Sequence, residues 1–150
     1  MAGMTIFEAL RQSHFTQRHL IDRMLDAQAP SPMRLSLFQQ LKTELSAHAA
    51  AEERCFYVPL IAHDETQESA RHGMAEHHAM DKLVHALEAM ASVSPHWILK
   101  GRELRHAIEH HLNEEEQRIF PRAAQVLGED DAQSLAQAYE EAFNALREKA

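Results

Sequence analysis

The sequence predicts an all-α protein, an up-down-up-down antiparallel four-helix bundle with an additional C-terminal helix. Three observations carry this. Ala, Leu, Glu and Gln are abundant while β-branched residues are few and glycines number only four in 150, a composition that favours helix over strand. No stretch shows the apolar–polar alternation of a half-buried strand. Helix-start signals recur at intervals that leave four long helices joined by short loops, an arrangement that packs sequential neighbours antiparallel.

The elements follow from their punctuation. Thr5 and Glu8 form a capping box opening a first helix to about Ala27, ended by Ala29-Pro30. Ser31-Pro32 reads as N-cap and first helical position of a second helix reaching about Ile61, its last turn disturbed by Pro59. A polar loop, His63 to Thr66, leads to a third helix from Gln67 to about Met90. Ser94-Pro95 repeats the start signal, and a fourth helix runs to about Leu127, disturbed at Pro121. Gly128 stands just past that end, where a left-handed C-cap favours glycine. Asp130 or Asp131 opens a fifth helix to about Lys149, whose stripe of Leu135, Ala138, Tyr139, Phe143 and Leu146 should pack outside the four, on the bundle or on another chain.

Length and charge narrow the function. The 150 residues suit a single domain with a real core, and a hydrophobic content of 45% argues against disorder. A net charge of −8 with histidine neutral disfavours nucleic acid and anionic lipid as partners. The apolar runs fall well short of the ~20 residues a membrane span needs. The opening MAGMTIFEALRQSH lacks the basic-then-apolar order of a signal peptide. The lone Cys55 excludes an internal disulfide, so a reducing cytoplasm is the expected location. The unusual count is histidine. Twelve in 150 is a bias towards metal ligation, proton handling or pH sensing.

Two related stretches, HAAAEERCFYVP from His48 and HHLNEEEQRIFP from His110, put histidines and glutamates where a helix should bury leucines. Helical phase decides which of them face inward. Leu104, Ile108, His111, Glu115 and Ile119 follow one another on one stripe, leaving His106, His110 and Glu114 with Glu103, Asn113 and Gln117 on a solvated face. The second helix gives Leu41, Leu45, His48, Glu52 and Phe56 in the same phase. The third gives Ala70, Met74, His77, Met80, Val84 and Leu87, with His78 and His85 turned out. The first gives Phe7, Leu10, His14, Ile21 and Leu25. Four helices thus each send one histidine to the axis, and two add a glutamate one turn later.

An ionised carboxylate taken from water without a partner costs several kcal/mol or more. A multivalent cation removes that cost by ligating the carboxylates directly. His and Glu at i and i+4 sit side by side, within reach of one ion. Four imidazoles and two carboxylates can chelate two ions with the glutamates bridging. A hydrogen-bonded His–Glu network without metal is the plainer alternative.

The set His14, His48 with Glu52, His77, and His111 with Glu115 resembles the hemerythrin-like, or HHE cation-binding, family: a lone His, HxxxE, a lone His, HxxxE. Glu76-His77 and Phe120-Pro121 add context, and the resemblance covers nearly the whole chain. It implies two non-haem iron ions, carboxylate- and oxo- or hydroxo-bridged, inside an antiparallel four-helix bundle. The ferritin-like template needs two Glu-x-x-His motifs, and the one present, Glu103 to His106, lies on the polar face. The family's oxygen carriers carry a second histidine on the third helix, one turn before the first. Here that place is Gly73, with His72 rotated off the face by about 100°. An additional labile coordination position is therefore expected, which a histidine at position 73 would fill. Ser13 stands where an aspartate often precedes the first histidine, a change that would weaken its orientation.

The function these residues imply is binding or reduction of a small oxidant, namely O₂, hydrogen peroxide or nitric oxide. The alternative is a non-enzymatic iron or oxygen sensor or carrier acting through a partner, whether a second copy or another protein. A histidine phosphotransfer bundle would leave both inward glutamates unexplained. Cys55 is expected as a buried structural thiol, Tyr57 as ordinary packing, Trp97 as cover for a bundle end, and the seven methionines as core filling. The other eight histidines are expected at the surface.

Overall fold

The computed structural model describes residues 3–149: residues 3–5 lead into a series of helices joined by turns, with no strand among the described residues. The elements are α1 (Ile6–Met24), α2 (Ser31–Glu52), α3 (Val58–Ile61), α4 (Gln67–Glu88), α5 (Pro95–Glu114), α6 (Phe120–Val126) and α7 (Glu129–Glu148). Two π turns, Glu53–Tyr57 and Glu115–Ile119, join α2 to α3 and α5 to α6 into two long rods. No helix is long and apolar enough to cross a membrane among the described residues.

The capping box of α1 is complete, Thr5 Oγ1 accepting from the Glu8 N–H and Glu8 Oε1 from the Thr5 N–H. α1 ends at Met24, earlier than the sequence suggests. Arg34 accounts for the turn that follows, donating to the carbonyls of Met24, Asp26 and Ala29 at 2.9–3.0 Å. That satisfies terminal acceptors that a helix leaves without partners. Two cap assignments are corrected. Pro30, in extended conformation, is the N-cap of α2, with Ser31 and Pro32 inside the helix. Gly128 is not left-handed: Leu127 already leaves α6 in extended conformation, and Gly128 (φ −70°) is the N-cap of α7, which therefore starts at Glu129.

The prolines and the π turns belong together. In each rod an N–H bonds five residues back, Val58 to Glu53 and Phe120 to Glu115, and the next residue is proline. The wider turn accommodates a residue that has no N–H and whose ring would crowd a preceding carbonyl. It also adds a residue to the turn, so Phe56 and Tyr57 both face inward, as do Ile119 and Phe120.

Two apolar clusters define the bundle. One gathers Ile6, Leu10, Phe56, Ala70, Ile119 and Phe120; the other gathers Ile21, Met24, Leu41, Met80, Val84, Leu104 and Ile108. α1 and α4 run from the first cluster to the second, while α2 and α5 run back, which is the up-down-up-down bundle expected. Between the clusters lies a layer of buried polar side chains. α7 packs against α1 and α2 through Ala132, Ala136, Tyr139 and Phe143. Its buried stripe is rotated slightly from the expected one, leaving Ala138 exposed.

Candidate metal centre

The polar layer contains His14 from α1, His48 and Glu52 from α2, His77 from α4, His111 from the end of α5 and Glu115 from the second π turn. All six are at most 6% exposed. The structure brings them into two groups, His14–His48–Glu52–Glu115 and Glu52–His77–His111, each with donor atoms within 4.8 Å of one another. Glu52 belongs to both. Its Oε1 is 3.0 Å from His77 Nε2 and 3.3 Å from His48 Nε2. Glu115 Oε1 is 3.0 Å from His14 Nε2, and its Oε2 is 3.7 Å from His111 Nε2.

Nearness does not satisfy these atoms. The Nε2 atoms of all four histidines, both oxygens of Glu52 and Oε1 of Glu115 are buried without a hydrogen-bond partner. Buried polar atoms normally have one. Seven orphans in one layer, all of them nitrogen or oxygen donors that bind first-row cations, fit a metal site.

The opposite edge of every imidazole is occupied. His14 Nδ1 lies 2.7 Å from Glu116 Oε2, His48 Nδ1 2.8 Å from the Tyr139 hydroxyl, His77 Nδ1 3.4 Å from Glu53 Oε2, and His111 Nδ1 2.7 Å from Glu76 Oε1. Acceptors there hold a proton on Nδ1, so Nε2 is the nitrogen turned to the layer and the one a cation would take, the usual arrangement around ligating histidines. Glu116 is itself clamped by Arg18 through two hydrogen bonds of 3.0 and 3.2 Å. Tyr139 also meets Ser13 Oγ at 2.6 Å. Ser13 therefore serves the outer layer through Tyr139, while Glu116 takes the role of orienting His14.

Charge in the cation-free layer is shared unevenly. Burial alone would lower His14 and His77, but the adjoining carboxylates outweigh it, raising His14 to about 9 and His77 to about 10. At His48 burial wins, and its pKa falls to about 4. Glu52, in spite of its burial, is held well below the usual carboxylate range by His48 and His77. Burial and the charge of Glu52 push Glu115 up.

Tyr57 corrects the expectation of ordinary packing: its ring lies against Gly73 and its hydroxyl reaches Glu115. A Cβ on Gly73 would stand 2.4 Å from both Cζ and Oη of Tyr57. The phenol fills the place where a histidine on α4 would sit, and its hydroxyl donates to Glu115 Oε2. Burial holds that hydroxyl protonated, well above its ordinary range. The π turn after Glu52 is what swings Tyr57 inward. His72 is exposed and outside the layer, as are His19, His78, His85, His96, His106 and His110, with His63 half-buried. Cys55 is buried, and Trp97 packs edge-on to Phe38 in the second cluster.

A cavity of about 410 Å³ opens between α2 and α4 and reaches His48, His77 and His111. Leu45, Met80 and Val84 supply apolar wall. Gln17, 1% exposed, also lines it, and its Nε2 has no partner. Sequence reasoning passed over Gln17, Glu53 and Glu116, and it gave Glu76 and Tyr139 no part in holding a histidine. The second residue of each Glu-Glu pair was the available signal, since Glu53 and Glu116 each orient a histidine from another helix.

A helical bundle with four imidazoles and two carboxylates turned into one buried layer defines a class, the cation-binding bundles. A model of the hemerythrin HHE cation-binding domain matches residues 5–123, and the chain belongs to that family. No curated protein and no solved structure matches it. All six layer residues fall inside the matched segment; α7 falls outside it.

Proposed function

We propose that His14, His48, Glu52, His77, His111 and Glu115 hold two iron ions, and that this non-haem centre binds or reduces a small oxidant: O₂, hydrogen peroxide or nitric oxide. The reading is carried by the seven unpartnered donor atoms, grouped so that Glu52 is common to both sets. Iron would supply electron transfer to ligands of this kind, which no side chain here can perform alone. The chain supplies the rest. Glu116, Tyr139, Glu53 and Glu76 fix the four imidazoles with Nε2 turned to the layer. The two apolar clusters keep bulk water from either end of the layer. The groove between α2 and α4 is wide enough for a diatomic or peroxide, and the Gln17 amide offers a donor beside the histidines. Tyr57 keeps a protonated hydroxyl on Glu115. A cytoplasmic setting suits the single buried thiol.

Metal analysis of protein purified from iron-replete cells tests the assignment. Close to two irons per chain are expected, with peroxide consumption or nitric oxide binding that disappears when the iron is removed. Intact protein that stays metal-free under those conditions would overturn it.

A further inference from the structure

Outside the buried layer, the seam between α4 and α5 carries a second constellation. His72 and Glu76 stand one turn apart on α4, and His110 and Glu114 one turn apart on α5, repeating the HxxxE spacing of the interior. His72 Nε2 lies 3.0 Å from Glu114 Oε1 and 3.4 Å from Glu76 Oε2. His110 Nε2 lies 3.4 Å from Glu76 Oε2 and 3.2 Å from Glu114 Oε2. Donor atoms of His72, Glu76 and Glu114 all fall within 4.8 Å of one another.

We propose that this seam is a surface site for a divalent first-row cation of zinc(II) type, held by His72, Glu76 and Glu114 with solvent in the fourth position. A tetrahedral ion with bonds of about 2.0–2.1 Å sets its ligand atoms roughly 3.3 Å apart. Two separations in the group lie near that edge, His72 Nε2 to Glu114 Oε1 at 3.0 Å and to Glu76 Oε2 at 3.4 Å. Both carboxylates are mostly buried, with side chains 17% and 22% exposed, and among the described residues neither pairs with a lysine or arginine. An imidazole with two carboxylates suits zinc or ferrous iron, whereas magnesium and calcium prefer all-oxygen sets.

Glu76 is also held in place in advance. Its Oε1 accepts from His111 Nδ1 at 2.7 Å, which leaves Oε2 for the seam. One carboxylate thus faces the buried layer with one oxygen and the surface with the other. The outer pairs are half-exposed at their histidines, so an ion can arrive and leave without opening the bundle.

Calorimetric titration of zinc(II) into protein isolated with its buried centre loaded tests the site. One further equivalent should bind. Removing an outer-layer partner of a metal site already costs about 10–100-fold, so loss of a ligand in His72→Ala or Glu114→Gln should weaken that equivalent by at least about tenfold. His78→Ala, on the same helix but turned towards α2, should leave it unchanged. Iron content measured on the same samples separates the seam from the buried layer, and His72→Ala should not alter it. No additional equivalent, or one whose affinity is the same in His72→Ala, would overturn the proposal.

Discussion

Replacing a helical glycine with alanine ordinarily stabilises a protein by up to ~1 kcal/mol. At Gly73 the sign should reverse. The new Cβ would sit 2.4 Å from Tyr57 Cζ and Oη and 2.9 Å from Cε2, where carbon contacts normally settle at about 3.5–4.0 Å. The phenol would have to retreat by about 1 Å. It is fully buried, with the Phe56 and His77 rings 5.6 and 5.4 Å away and its hydroxyl engaged by Glu115. Overpacking of this kind costs roughly 1–3 kcal/mol, so Gly73→Ala should destabilise by about 1–2 kcal/mol after the propensity gain. In a Tyr57→Leu background the same alanine should be neutral or stabilising, a coupling of about 2 kcal/mol between the two positions. Urea unfolding of the four proteins, metal-free and metal-loaded, measures this. An equal effect of Gly73→Ala on both backgrounds would refute the packing of Tyr57 against Gly73. The same geometry decides Gly73→His. Alone it displaces the Tyr57 hydroxyl from Glu115, and only with Tyr57→Leu does it place an imidazole one turn before His77.

Neighbouring histidines should behave oppositely: His111→Ala should lose at least one iron per chain, while His110→Ala should keep the buried complement, both read by metal analysis. Tyr139→Phe removes the acceptor at His48 Nδ1 and should lower metal affinity by about 10–100-fold, measured by competition with a chelator. In the metal-free protein, His14 and His77 have folded pKa values of about 9 and 10 against 6.5 unfolded. Their stabilisation is full below pH 6.5 and lost as pH rises through 9 to 10, so unfolding midpoints should fall across that window. Metal binding at pH 7 should correspondingly release about two protons, seen as buffer-dependent heat in calorimetry. A constant heat across buffers of different ionisation enthalpy would contradict the protonated pair. Gln17→Leu should leave iron content intact and slow turnover or weaken binding of the small oxidant, since it removes a donor from the groove without touching the six layer residues.

Phase made the bundle and the inward stripes legible. His111 and His110 differ by one position in sequence, yet one is buried and the other exposed, as a 100° step per residue requires. The same arithmetic failed just past each inward glutamate. Helical periodicity of 3.6 turns Phe56 inward and sends Tyr57 aside, and only the extra residue of the π turn brings both in. The proline after each π turn is visible in the sequence, but there it predicts a disturbance at the end of a helix and not the wider turn before it. Outer-layer partners were harder still. Glu76 adjoins His77 in sequence but serves His111 across the seam, and Tyr139 lies 91 residues from the imidazole it meets. Such pairings depend on how rods are set against one another, which local spacing does not encode.

Tyr139 has a further consequence. The homologous unit closes at residue 123, with all six inward side chains inside it, yet one of the four imidazoles is steadied from beyond that limit. A fragment trimmed to the recognisable domain would keep every donor atom and still lose the anchor of His48, whose ring could then turn about its own bond and present either nitrogen. The C-terminal helix is in that sense a bolt laid across α1 and α2. Its register against α1 and α2 sets the tautomer of a buried ring, and chains that share the same six residues can differ in chemistry through a segment that comparison of their domains would never touch.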